Sequence, residues 1–365
     1  MNPNRPELTI FFLNLEVGGA ERIMLQLAHG FLAAGHSVDL VLAHAHGPLV
    51  SEAPAGARII DLNVNNYLTM LASLIGYLRS EKPSALLSPF EATSVIAILA
   101  KKLSAVSTRV VACISVHLSL HKRPKWRKFV ERIVISMLYP FADGIVTVSR
   151  GVAEDLSGYT GTSLERVKVI YNPVVSEQLL QAAEQPVHHP FFSDDQYSVI
   201  LGVGRLAEQK DFSTLIRAFD IVRRRIPSRL IILGDGAERP ALQKLICSSG
   251  LQDMVDLPGF QLNPFAFMKR ASVFVLSSKW EGLPGVLIEA LACGCPVVST
   301  DCLSGPSEIL KEGQYGHLVP VGNVEAMASA IEDVLKGNIL KPPVSWLEQY
   351  TNDSVVRQYK AVLGI

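Results

Sequence analysis

The stretch SVILGVGRLAEQKDFSTLIRAF, Ser198 to Phe219, sets the reading of the fold. Its opening SVILGVG is apolar and too short for a helix, as expected of a strand buried on both faces. From Phe212 to Arg224 apolar residues recur at three- and four-residue spacing, the period of an amphipathic helix. Polar residues with a glycine join the two, so the stretch is half of a βαβ unit.

The alternation continues in both directions. Towards the C-terminus come strand RLIILGD, helix Arg239 to Ser248, strands MVDLP and SVFVLSS, a helix from about Gly285, strand CPVVST and a helix within Val324 to Leu335. Towards the N-terminus it breaks at EQPVHHPFFSDDQ (Glu184 to Gln196), a polar, proline-containing segment read as the domain boundary. Before that, LTIFFLNL, SVDLVLA, ARIIDL, SALLSP, RVVACISV and GIVTVS read as strands. Helices at residues 20–34, 67–79, 91–103 and 126–138 lie between them, and Ser149 is positioned to cap one more. A chain of 365 residues favours two cores over one. The reading is therefore α/β, with two Rossmann-like doubly wound domains at 1–175 and 176–345. The tail Trp346 to Leu363 reads as one amphipathic helix docking back on the first domain. Open parallel sheets bind ligands beyond the carboxyl ends of their strands, so two such domains imply a ligand cleft.

Composition excludes several classes. Lysine plus arginine equals aspartate plus glutamate, 34 of each, against a nucleic-acid partner. Five scattered cysteines in a chain this size read as reduced thiols, and the C-x-C of Cys293 and Cys295 is not a zinc spacing. The first apolar run ends in Asn14, Glu16 and two glycines, like a strand and unlike a signal peptide. The run YLTMLASLIGYL (Tyr67 to Leu78) falls short of the ~20 residues that span a bilayer. A cytoplasmic protein is expected.

The chemistry begins with EGLPGVLIE, Glu281 to Glu289. The preceding strand ends near Ser278, which puts Glu281 in a loop at a carboxyl end. Pro284 suits a first helical turn, and Gly282 and Gly285 let backbone approach a ligand, so the loop offers bare amides and the positive end of a helix dipole. Glu289 follows on the helix. Alone, such a pair could be a surface loop acid and an exposed helix acid. Arg205 and Lys210 stand in the loop of the opening stretch, where a guanidinium and an ammonium can converge on a diphosphate. Gly18-Gly19 follows the first strand and opens a helix. His117 lies at the end of RVVACISVH. None of the glycine runs fits G-x-G-x-x-G, which disfavours a nicotinamide dehydrogenase.

Together these segments resemble the retaining glycosyltransferases of family 4, of GT-B architecture. The match runs through GGAER, the strand ending in His117, VIYNPV, GRLAEQKDFSTLIRAF, LIILGDGAER, SKWEGLPGVLIEALACGCPVVSTDCLSGPSEIL and YGHLVPVGN. The resemblance implies a hexosyltransferase-type enzyme using a nucleotide-diphosphate sugar, UDP by default, in polysaccharide or lipopolysaccharide biosynthesis. By it, Arg205, Lys210 and the backbone of Gly282, Leu283, Pro284, Gly285 and Val286 would bind the diphosphate. Glu289 would take the ribose hydroxyls and Glu281 those of the transferred sugar. His117 would hold that sugar from the other wall, and Gly18 and Gly19 would line the meeting point with the acceptor. No Asp-x-Asp motif is present, so no cofactor and no metal is expected.

The segment HKRPKWRKFVERIVISMLYPF, residues 121–141, crowds basic residues around Trp126 and Phe129. It reads either as a contact for anionic membrane or a lipid-linked acceptor, or as an ordinary helix with a solvated basic face. Two other functions fit the architecture: a sugar phosphorylase or nucleotide-sugar epimerase, and a non-catalytic nucleotide-sugar binder.

Overall fold

The computed structural model describes residues 5–16, 18–120 and 123–365. It divides into two units, Met1–Pro173 with Tyr350–Ile365, and Val174–Gln349.

In the first unit β1 (Leu8–Phe12), β2 (Val38–Leu42), β3 (Arg58–Asp61), β4 (Ala85–Ser88), β5 (Arg109–Ile114), β6 (Gly144–Thr147) and β7 (Val167–Val169) form one sheet in the order β3-β2-β1-β4-β5-β6-β7. All pairs are parallel. Helices α1 (Gly19–Ala33), α2 (Tyr67–Glu81), α3 (Glu91–Ser104), α4 (Lys125–Leu138) and α5 (Arg150–Thr160) make the crossovers. Every residue of β1, β2 and β4 is buried, which is why these strands read as apolar runs broken only by Thr9, Asp39 and Ser88. Ser149 caps α5 by accepting the Val152 amide at 3.2 Å.

The second unit opens with α6 (Glu177–Ala183). It continues through β8 (Ser198–Val203), α7 (Phe212–Val222), β9 (Ser228–Leu233), α8 (Arg239–Ser248), β10 (Val255–Gly259), α9 (Pro264–Arg270), β11 (Val273–Leu276), α10 (Gly285–Ala292), β12 (Val297–Thr300), α11 (Pro306–Ile309), β13 (His317–Val319), α12 (Val324–Leu335) and α13 (Val344–Leu347). Its sheet runs β10-β9-β8-β11-β12-β13, again wholly parallel. The core lies where α7 and α12 cover the sheet, with Phe219, Ile216, Leu230 and Ile331 fully buried.

Two readings need correction. Residues 184–196 are not the boundary but lie inside the second unit. His189 Nε2 sits 2.9 Å from Asp256 Oδ2, and the rings of His189, Phe192 and Phe267 pack together. Polar, proline-containing chain here is anchored surface. The tail is also two pieces. The Trp346 indole donates to the Ile309 carbonyl at 2.9 Å within the second unit. Thr351 then caps a separate helix, α14 (Asn352–Leu363), which belongs to the first unit. Tyr359 of α14 is buried with its hydroxyl 3.4 Å from Cys113 Sγ, and Arg109 Nε donates to the Val362 carbonyl at 2.6 Å. Gly30 and Gly144 permit this docking, because a Cβ on either would come within 2.7 Å of a valine of α14.

Candidate functional site

In both sheets the strand order reverses once, between β1 and β4 and between β8 and β11. At such a switch point neighbouring loops leave in opposite directions and open a crevice beyond the strand ends. In the second unit the loop after β8 carries Arg205 and Lys210, and the loop after β11 carries Glu281.

The structure brings Lys210 and Glu281 together, Nζ to Oε1 at 2.6 Å. Glu281 is only 7% exposed, so it is not a surface loop residue. Ser278 Oγ donates to the same Oε1 at 2.6 Å. The two loops are tied further: Gln209 Nε2 donates to the Trp280 carbonyl at 2.8 Å, and Ser277 Oγ to that of Lys210 at 2.7 Å. A third loop, after β12, closes the arrangement. The Glu281 amide donates to the Leu303 carbonyl at 2.6 Å, the Ser304 amide to that of Glu281 at 2.8 Å, and Ser304 Oγ to that of Gly282 at 3.0 Å. Gly305 has φ +98°, and a Cβ there would stand 2.7 Å from Pro284 Cδ, so only glycine lets the third loop lie against the second.

Helix α10 starts beside this pair. The amides of Leu283, Gly285 and Val286 meet no acceptor among the described residues. They are the unsatisfied donors of a helix N-terminus, with no side-chain cap. Arg205 is exposed and makes no ion pair among the described residues. Glu289 lies one turn along α10 on the same stripe as Gly285, about 6 Å further down the axis. Cys293, one turn beyond, has its thiol pushed up to about 12 by burial and then by the Glu289 charge. Cys302 is raised likewise to about 12, by burial and the Glu281 charge, and Cys295 by burial. These thiols are protonated, inert filling at neutral pH.

In the first unit His117 is 7% exposed, with Nδ1 3.6 Å from Asp155 Oδ1 on α5. Ser119 donates to the same carboxylate through its amide at 3.2 Å and through its hydroxyl. Burial alone would raise the Asp155 carboxyl, but hydrogen bonds from His117 and Ser119 outweigh it and hold the group below the usual carboxylate range. Gly18 caps α1 in an extended conformation, and a Cβ on Gly19 would touch nothing within 4 Å. Sequence reasoning missed Ser278, Gln209, Ser304, Ser119 and Asp155. Only Ser278 carried a signal, three residues before Glu281 at a strand end.

On α4 the apolar side chains of Trp126, Phe129, Val130, Ile133 and Met137 recur at helical spacing on one face, and all five are exposed. The basic residues are divided. Arg123 is taken by Glu91 at 2.9 Å and Glu131 at 2.5 Å, and Lys128 by the Ser119 carbonyl at 2.9 Å, whereas Lys125, Arg127 and Arg132 face solvent. His121 and Lys122 lie outside the described residues. Among the described residues no helix is long and apolar enough to cross a membrane.

A doubly wound pair of units, with cations, open helix amides and a carboxylate gathered at one switch point, has the form of a GT-B glycosyltransferase. Two family models cover most of the chain: Glycosyltransferase Family 4 matches residues 17–178, and Glycosyl transferases group 1 matches residues 185–349. The chain belongs to the family-4 glycosyltransferases. It is 34% identical over 222 residues to the N-acetylgalactosamine-N,N'-diacetylbacillosaminyl-diphospho-undecaprenol 4-alpha-N-acetylgalactosaminyltransferase of Campylobacter jejuni, covering 61% of this chain and 59% of that protein. A second C. jejuni protein, GalNAc-alpha-(1->4)-GalNAc-alpha-(1->3)-diNAcBac-PP-undecaprenol alpha-1,4-N-acetyl-D-galactosaminyltransferase, is 25% identical over 97% of this chain and 96% of its own length. Matches to several other curated relatives span about half of their length. The fold is shared with Anabaena HepE in complex with UDP, at 18% identity and TM-score 0.78 over 98% of this chain and 99% of that one.

Proposed function

We propose that this protein is a retaining, metal-independent glycosyltransferase that moves a sugar from a UDP-sugar to a glycan or lipid-linked glycan in polysaccharide or lipopolysaccharide biosynthesis. The observation that carries the reading is the Lys210–Glu281 pair beside the open start of α10 at the switch point of the second unit. An ammonium, a free guanidinium at Arg205 and unsatisfied amides are what a leaving diphosphate needs, because its charge grows in the transition state and is stabilised by fixed dipoles and cations. In this reading Glu289, one turn further on, takes the ribose hydroxyls, and Glu281 those of the transferred sugar. In the first unit His117 and Gly18–Gly19 are the residues assigned to the transferred sugar and the acceptor.

In this mechanism the bond from the anomeric carbon to the diphosphate oxygen breaks and the acceptor oxygen bonds the same face of that carbon. The acceptor proton passes to the departing phosphate oxygen. Glu281 Oε1 already accepts two hydrogen bonds, and in this same-face mechanism the carboxylate serves as a hydroxyl acceptor. The test is a thermal-shift series with UDP, GDP, ADP and inorganic phosphate, followed by product analysis with UDP-sugars in EDTA. UDP should raise the melting temperature, as any ligand of the native state alone does. Phosphate-dependent release of sugar phosphate without an acceptor would instead favour a phosphorylase.

A lipid-linked acceptor is borne by a membrane, and the exposed apolar face of α4, flanked by Lys125, Arg127 and Arg132, suits an in-plane contact with anionic lipid. Co-flotation with phosphatidylglycerol vesicles, lost in Trp126→Ser/Phe129→Ser, is the expected result. Equal recovery of both proteins would remove the membrane contact.

A further inference from the structure

Two donors end on one atom. Lys210 Nζ and Ser278 Oγ each lie 2.6 Å from Glu281 Oε1, whereas Oε2 accepts no hydrogen bond from the described residues. A carboxylate oxygen offers two lone-pair sites, so Oε1 is filled and Oε2 is open. Ser278 is fully buried, and its carbonyl accepts the Thr300 hydroxyl at 2.6 Å, which ties it to the adjacent strand end. Its hydroxyl is therefore presented from a rigid position. A lysine alone would not define the carboxylate, because an ammonium on a flexible stem can follow either oxygen as the group turns.

We propose that Ser278 is a positioning residue that, with Lys210, saturates Glu281 Oε1 so that Oε2 alone meets a hydroxyl of the transferred sugar. The proposal rests on the donor reading given above and adds to it which oxygen is used and what fixes it. It also limits Lys210: one of its three N–H donors is spent on Glu281 and two remain for the diphosphate. Ser278 thus acts on recognition of the sugar and leaves recognition of the nucleotide alone. A serine that only supported the fold would weaken both together.

The experiment compares wild type, Ser278→Ala and Ser278→Thr, the last retaining the hydroxyl. Binding of UDP is measured by calorimetry. The kcat/KM is measured with the UDP-sugar that supports turnover and with its deoxy analogues, one hydroxyl removed at a time. In Ser278→Ala, UDP affinity should stay within about twofold, while kcat/KM for the full sugar falls about tenfold to a hundredfold, the range of a hydrogen bond to a charged group. The decisive readout is coupling. One deoxy analogue should cost wild type a comparable factor and cost Ser278→Ala less than about threefold, because the hydroxyl it lacks is no longer well gripped. Ser278→Thr should restore the wild-type penalty. Unchanged kcat/KM in Ser278→Ala, or a lowered one with every deoxy penalty intact, would overturn the positioning role. Failure of the wild type to bind UDP would instead overturn the donor reading, and the proposal with it.

Discussion

The two units share one plan, a parallel sheet whose order reverses once, yet they hold their candidate residues in opposite ways. In the second, three loops are cross-bonded around a largely buried ion pair, with Glu281 Oε1, Gln209, Ser277, Ser278 and Ser304 all held by hydrogen bonds. In the first, Gly19 faces open space, His117 Nδ1 stands 3.6 Å from the Asp155 carboxylate, and the apolar face of α4 is bare. The difference follows from the two jobs proposed. Stabilising a leaving diphosphate requires charges fixed before the reaction begins. Receiving a large glycan or lipid requires accessible surface, which a dense hydrogen-bond mesh would block.

The largest effect should come from breaking the mesh at its centre. Lys210→Ala and Glu281→Ala should each lower turnover by about a hundredfold to a thousandfold. They should also destabilise, because removing one partner of a largely buried pair strands the other, at a cost below the about 3–5 kcal/mol of a fully buried one. The double variant Lys210→Met/Glu281→Gln separates the two effects. Denaturant titration should show much of the stability recovered while turnover stays lost. If single variants keep normal turnover, the second unit is not the donor side.

Glycines sharpen the contrast. Gly305→Ala forces a Cβ to 2.7 Å from Pro284 Cδ at a positive φ, and it should cost about 1–3 kcal/mol in a denaturant titration and weaken UDP binding through the displaced Leu283–Gly285 backbone. Gly19→Ala adds a Cβ in open space at the start of α1 and should leave stability within about 0.5 kcal/mol. Any loss of activity in Gly19→Ala then reports contact with substrate.

Asp155 gives the first unit a pH dependence of its own. Its carboxyl is held below the usual range, so the folded state binds its proton less readily than the unfolded chain. The resulting stabilisation is complete above about pH 3.9, the ordinary aspartate value, and is lost as pH falls through the depressed folded value. Asp155→Asn lacks it. Melting temperatures of wild type and variant should differ most near neutral pH and converge as pH approaches 2; a constant gap would mean that the carboxylate is not charge-stabilised.

Much of this was legible in the sequence, for physical reasons that differ by region. Strands buried on both faces write themselves as aliphatic runs, and helix α8 was read from Arg239 to Ser248, where it lies. Lys210 and Glu281 were found because they sit at strand carboxyl ends near glycines. What could not be read is what depends on contacts between distant segments. Ser304 matters through backbone bonds to a loop more than twenty residues earlier, and Asp155 through His117 on another strand's end. The tail misled because apolar residues recur at roughly helical spacing on both sides of Thr351, while Trp346 and Tyr359 anchor in different units. The polar segment 184–196 misled because aromatic packing, not composition, decides where it belongs.

The smallest expected effect tests the comparison from its other end. Leu287 and Ile288 on α10 are fully buried, and truncating either to alanine should cost about 2–5 kcal/mol. Phe129 and Met137 on α4 have the same chemical character but are 64% and 66% exposed, and nothing in the first unit depends on their burial. Phe129→Ser and Met137→Ser should therefore change stability by less than about 0.5 kcal/mol in a denaturant titration. A large loss of stability would mean that the α4 face is held by the protein's own fold and is not free for a membrane. A neutral result, with vesicle binding diminished, would make the apolar stripe a surface kept for something outside the chain.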